Sequence, residues 1–217
     1  MTRNIHHTAY IAPESITGDT LTVGPRAVVR RHGTVCFGAT LGADVIVDTG
    51  ATVGGSAHIG DGTVIDHGAS VGSHTRVGPN CAIRADSTIG RKCHLAPFVV
   101  IRPYVTIWDN VTIDRSSWVD NASCIGEHTR IGHSVAIMER VSIDAWVSLA
   151  DMVTVETAAT IGLGVTIWER ATIGVAADIG DGALIGSMVH IPNRATVAPD
   201  AVVPCATFRE AITLHVH

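Results

Sequence analysis

The chain of 217 residues carries 15 Lys and Arg against 20 Asp and Glu, a formal net charge of −5, which excludes the basic surface of a general nucleic-acid binder. Apolar residues make up 46% but aromatics only 4%, so the core must be built from small aliphatic side chains. The 22 glycines, with dense Val, Ile, Thr and Ala, favour short strands and tight turns over long helices.

At the N-terminus, MTRNIHHTAY has no apolar core of a secretory leader, and no later segment is long and apolar enough to span a bilayer. The five cysteines (Cys36, Cys81, Cys93, Cys124 and Cys205) are odd in number and lack CxxC spacing, which reads as reduced thiols. A cytoplasmic protein that binds neither membrane nor nucleic acid is expected.

Along the chain, one repeat dominates. Ile5 and Ile11 start it, Thr17 alone fails, and from Val23 through Val29, Val35 and Leu41 to Val203 every sixth residue is Val, Ile or Leu. Four residues after each aliphatic comes a small or β-branched residue, as in Ala51, Ala57, Thr63, Ala69, Thr75 and Cys81. Glycine often follows the aliphatic directly, as in the IGDG of 59–62 and of 179–182. A period of six fits neither a helix nor a simple two-faced strand. It fits short strands separated by turns, with one large and one small side chain pointing inward per unit. Glycine is expected to supply the turn conformations, and no unit can bury its aliphatic alone, so successive turns must stack.

This pattern resembles the hexapeptide-repeat superfamily from about Ile5 to Val203. The resemblance implies an all-β fold: a left-handed parallel β-helix of about 11 uninterrupted triangular coils, with three hexads to each coil. At the spacing of paired strands, such a prism stands roughly 50 Å tall. Residues 1–204 form the β-helix domain, and 205–217, where the period is lost, form a short C-terminal tail or helix.

With three hexads per coil, every third hexad stacks on the same face, and outward columns can be read separately. One runs Val28, Ile46, Val64, Ala82, Val100, Trp118, Ala136. A continuous apolar strip calls for a partner, and Val28, Ile46, Val64, Val100 and Trp118 are expected to form a homotrimer interface. A second column, Thr34, Thr52, Ser70, Thr88, Thr106, Cys124, Ser142, Thr160, is a hydroxyl ladder, and a third, Thr40, His58, Arg76, His94, Thr112, Arg130, Ser148, should face water. Two residues after the apolar strip lies a charged column, Arg30, Asp48, Asp66, Arg84, Arg102, Asp120, Met138, Glu156. Beside an interface these groups must pair or meet something bound there, as an intersubunit salt-bridge ladder or as a polar cleft.

Two stretches suggest chemistry. AYIAPESITGD (9–19) resembles the start of γ-class carbonic anhydrases, and IGHSVAIMER (131–140) resembles the run that carries two of that family's zinc-binding histidines. The resemblance places Arg102 at the family's interface arginine and His133 at the histidine supplied by a neighbouring subunit. The remaining ligand positions fall on Asp120 and Met138, and a thioether beside one histidine and one carboxylate makes a poor zinc site. No bound metal is therefore expected.

The second stretch, VGGSAHIGDGTVIDHGASVGSHTRVG (53–78), resembles the region around the active-site histidine of hexapeptide sugar N-acetyltransferases. Asp66 and His67 follow Ile65 as an acid and histidine do there. The resemblance implies His67 as the general base for an amine or hydroxyl that attacks an acyl-CoA thioester. Gly68 stands where the family often has a second acid, which leaves the partner that orients His67 unidentified.

Trp108 and Trp168 occupy positions where glycine is usual, so their rings should project from the prism, over a ligand or a subunit contact. The favoured reading is an acyltransferase-like enzyme at a trimer-interface cleft, with His67, Asp66, His133, Asp120 and Arg102 as candidate catalytic residues. Acyl-CoA would be a co-substrate, with no permanently bound cofactor. The alternatives are a γ-carbonic-anhydrase-like protein with a degenerate metal site, and a non-catalytic trimeric scaffold.

Overall fold

Each hexad folds the same way because its side chains leave few options. Two extended residues form a strand, the first pointing outward and the second, the aliphatic, inward; a turn follows, and a small residue then points inward again. In the computed structural model, which describes residues 3–205, this unit gives 34 two-residue strands. They form three parallel sheets of 12, 11 and 11 strands, and each strand pairs with those one coil before and one coil after it. The result is a left-handed parallel β-helix of about 11 coils with no helix among the described residues. No helix there is long and apolar enough to cross a membrane. The expected terminal tail lies, from residue 206 on, outside the described residues.

We name the sheets by their outward columns. Sheet A carries Thr40, His58, Arg76, His94, Thr112 and Arg130; sheet B carries Val28, Ile46, Val64, Val100 and Trp118; sheet C carries Thr52, Ser70, Thr88 and Thr106. Corners AB, BC and CA join them in chain order. Every aliphatic from Val23 to Val203 is buried, and together they line the prism's interior. Each contributes about 1.5–3 kcal/mol of burial.

The small inward position is polar in the middle of the chain. Thr63, Thr75, Ser117 and Ser123 are fully buried, and each hydroxyl has two partners. Thr63 Oγ1 donates to the Gly78 carbonyl at 2.8 Å and accepts the Cys81 N–H at 3.2 Å; Ser117 Oγ repeats this with Gly132 and Val135. Full satisfaction makes these hydroxyls tolerable in an aliphatic core.

Six glycines hold the turn as expected, but most do a different job. The left-handed turn residue lies three positions after the aliphatic, with φ between 53° and 72° at every sixth residue from Arg26 to Asp200. Twenty-four of these residues are not glycine, and they include Phe98, Tyr104 and Trp146. A hydrogen bond between coils compensates the strain: the His74 N–H donates to the Gly55 carbonyl at 3.0 Å, and Trp146 to Glu127 at 2.9 Å. The glycines directly after the aliphatic are needed for space. A Cβ on Gly72 would lie 2.4 Å from the Gly90 carbonyl oxygen of the next coil.

Candidate functional site

Corner BC is where the prism wall departs from glycine. The position after the sheet B aliphatic is held by Arg30, Asp48, Asp66, Arg84, Arg102, Asp120, Met138 and Glu156, and glycine returns only at Gly174. Because each strand stacks in register on the equivalent strand of the next coil, opposite charges on this column fall directly over one another. Arg30 Nη1 lies 3.5 Å from Asp48, Arg84 Nη1 donates to Asp66 Oδ2 at 3.2 Å, and Arg102 Nε lies 3.9 Å from Asp120. The column read as an intersubunit salt-bridge ladder or as a polar cleft thus forms these pairs within the chain. Asp48 and Asp120 are further fixed by the N–H groups of Thr49 and Asn121, at 2.6 and 2.8 Å.

His67 projects from the same corner, one residue beyond Asp66, and its side chain is 66% exposed. Its Nε2 lies 4.0 Å from Oδ2 of Asp86, and the backbones are tied by the Asp86 N–H donating to the His67 carbonyl at 3.1 Å. Asp86 thus places a carboxylate beside the imidazole. A reading by columns passes over it, because it stands one step beyond His67's own column, in the adjacent left-handed turn position of the next coil. The corner thus gathers Asp66, His67, Arg84 and Asp86, with the Arg102–Asp120 pair next along it.

Asn121 does not stand out from sequence either. It shares His67's column, and its Oδ1 is buried with no hydrogen-bond partner among the described residues. Such an orphan costs about 1–3 kcal/mol and marks a spot where a further donor would be stabilising.

His133 stands elsewhere, on corner AB. Its N–H donates to Asp151 Oδ1 at 2.8 Å, its Nδ1 lies 3.0 Å from the Arg115 carbonyl, and Ser134 Oγ lies 3.2 Å from Nε2. Since a carbonyl only accepts, Nδ1 carries the proton. Within one chain His133 does not meet Arg102, Asp120 or Met138. Among the described residues, no group of three or more His, Cys, Asp and Glu is gathered as a metal would need. All five cysteines are free. Cys81 and Cys93 are buried, and burial pushes both thiols up, Cys93 to about 11.

Coils of three hexads, an inward aliphatic at every sixth position and three parallel sheets give the chain a hexapeptide-repeat β-helix fold. The family model described as "Bacterial transferase hexapeptide (six repeats)" matches residues 68–103 of the chain. No curated protein sequence matches the chain. Among solved structures, the chain is similar to UDP-N-acetylglucosamine O-acyltransferase from Moraxella catarrhalis, with TM-score 0.52 and 16% identity over 89% of its length. The chain spans 66% of that structure's length. It is also similar to UDP-N-acetylglucosamine acyltransferase from Campylobacter jejuni (TM-score 0.43, 18% identity, 88% of this chain and 72% of that one). A third is the acetyltransferase domain of PglB from Neisseria gonorrhoeae (TM-score 0.31, 14% identity, 64% of this chain and 55% of that one). At 16% identity the first likeness speaks for the fold alone.

Proposed function

We propose that the protein is an acyltransferase-like enzyme that moves an acyl group from acyl-CoA to a small amine or hydroxyl acceptor, in a cleft between the subunits of a homotrimer. The observation that carries this reading is the exposed imidazole of His67 with the Asp86 carboxylate beside its Nε2. A carboxylate there holds the proton on Nε2 and leaves the Nδ1 lone pair for the acceptor. The 4.0 Å separation is longer than a hydrogen bond, and unliganded sites commonly tighten such contacts on binding.

The step is a thioester exchange. The acceptor nitrogen or oxygen attacks the acyl carbonyl while Nδ1 of His67 takes its proton. The tetrahedral adduct then collapses, the C–S bond breaks, and the proton held by His67 passes to the departing thiolate. Asp66, paired with Arg84, keeps the neighbouring charge neutral, so that Asp86 alone acts on the imidazole. In this reading Arg102 and Asp120 set the stacking of the corner: they bind each other, and His133 lies on a different corner. Sheet B supplies the subunit contact, with Val28, Ile46, Val64 and Val100 half-buried in the single chain and Trp118 exposed.

A thermal shift with acetyl-CoA tests the proposal. At about 1 mM ligand, with a Kd near 10 μM, binding adds about 2.7 kcal/mol to the stability of the folded chain. Absence of any shift at that concentration counts against an acyl-CoA site.

A further inference from the structure

Corner CA carries aromatic rings that the reading above leaves unused. Trp108 directly follows the sheet C strand, with Gly90 and Gly126 one coil to either side, and is 56% exposed. Trp146 occupies a left-handed turn position, is 60% exposed, and stacks on His128 with ring centroids 4.1 Å apart and planes 12° apart. The coil-to-coil hydrogen bond lets the fold accept Trp146 at its turn, but an exposed indole adds little stability through burial at either position.

Two depressions flank this corner at the same height on the prism. The one on the sheet C side, about 320 Å³, is lined by Trp108, Gly126, Glu127, Asp144 and Ala145, with Trp108, Gly126 and Asp144 on successive coils. Asp144 uses Oδ1 to accept the Ala145 N–H at 3.0 Å. Glu127 makes no ion pair among the described residues. The depression on the sheet A side, about 290 Å³, is lined by Trp146 and His128 with Asn110, Thr112, Arg130 and Ser148. Arg130 also has no carboxylate partner among the described residues.

We propose that corner CA is a carbohydrate-binding site that takes a short pyranose oligosaccharide, one ring on Trp108 and the next against Trp146 and His128. A pyranose has an apolar C–H face, which suits an indole, and a rim of hydroxyls that both donate and accept. Glu127 and Asp144 accept from hydroxyl groups, while Asn110 and Arg130 donate to hydroxyl oxygens. An organic cation would suit the acidic depression but meet Arg130 in the other, and an anion would face the reverse conflict. A neutral polyol satisfies both. The site lies on a different corner from His67, and the inference does not depend on acyl transfer.

Calorimetric titration of the full chain with chitotriose, cellotriose and maltotriose tests the proposal. At least one should bind saturably, with a Kd between about 0.1 and 10 mM. Trp108→Ala and Trp146→Ala should each weaken that binding tenfold or more. Trp168→Ala, on corner AB, should leave it within twofold. Circular dichroism checks the fold of each variant, and Glu127→Gln, at a solvated turn, gives a second probe expected to weaken binding severalfold. Three results overturn the proposal: no saturable binding of any of the three sugars, binding indifferent to both tryptophan variants, or saturable binding of tetramethylammonium without binding of sugars.

Discussion

Two glycine-to-alanine substitutions separate the two jobs a glycine can have in this wall. Gly164 holds a left-handed φ of 68° and has nothing within 4 Å of where a Cβ would sit. Alanine there meets only the backbone cost of about 1–2 kcal/mol, offset by about 0.4–1 kcal/mol from a stiffer unfolded chain. Ala122, Ala158 and Ala176 already hold that turn position elsewhere. Gly72 is the opposite case: its added Cβ would lie 2.4 Å from the oxygen and 2.5 Å from the carbon of the Gly90 carbonyl. That neighbour is backbone within the coil-to-coil ladder and cannot swing aside, so the cost should reach the upper end of overpacking, about 3 kcal/mol. At about 2–4 °C per kcal/mol for a chain of this size, Gly72→Ala should lower Tm by roughly 6–12 °C and Gly164→Ala by no more than about 6 °C. Thermal unfolding followed by far-UV circular dichroism measures both. Equal losses, or a larger loss at Gly164, would refute the assignment of these glycines to close approach.

The buried thiol of Cys93 makes stability depend on alkaline pH. Its folded-state pKa of about 11 lies above the ordinary value of 9.0, so the folded chain holds the proton more tightly than the unfolded one. The associated stability is complete below pH 9 and is lost as pH rises toward 11, by on the order of 2 kcal/mol. Cys93→Ala should flatten this limb in urea titrations between pH 8 and 11, and an unchanged slope would contradict it. For the subunit contact, equilibrium sedimentation should give about three times the 22.7 kDa chain mass, and Val64→Asp should shift the protein to monomer. A monomeric parent chain would remove both the interface and the cleft.

The fold was legible because an uninterrupted period of six can be counted, and because only stacked coils bury one aliphatic per hexad. The same arithmetic made the charged column readable, since Arg30 and Asp48, Asp66 and Arg84, and Arg102 and Asp120 stand one coil apart. It did not reveal that they pair within one chain, which depends on how long side chains cross from coil to coil. The role of the glycines was not legible because the turn residue is set by the hydrogen bonds between coils, so that even Trp146 accepts a left-handed φ. Asp86 escapes a column reading because it meets His67 diagonally, and corner CA does so because Trp108 and Trp146 belong to different columns that converge only when the wall bends.

Release of free thiol from acetyl-CoA, in the presence of a panel of small amines and sugar alcohols, tests the central claim most directly. The parent protein should release thiol with at least one acceptor. His67→Ala should cut the rate of release by about 10²–10⁴-fold with its thermal stability unchanged. Asp86→Asn should lower it less. Turnover that survives His67→Ala would contradict the account.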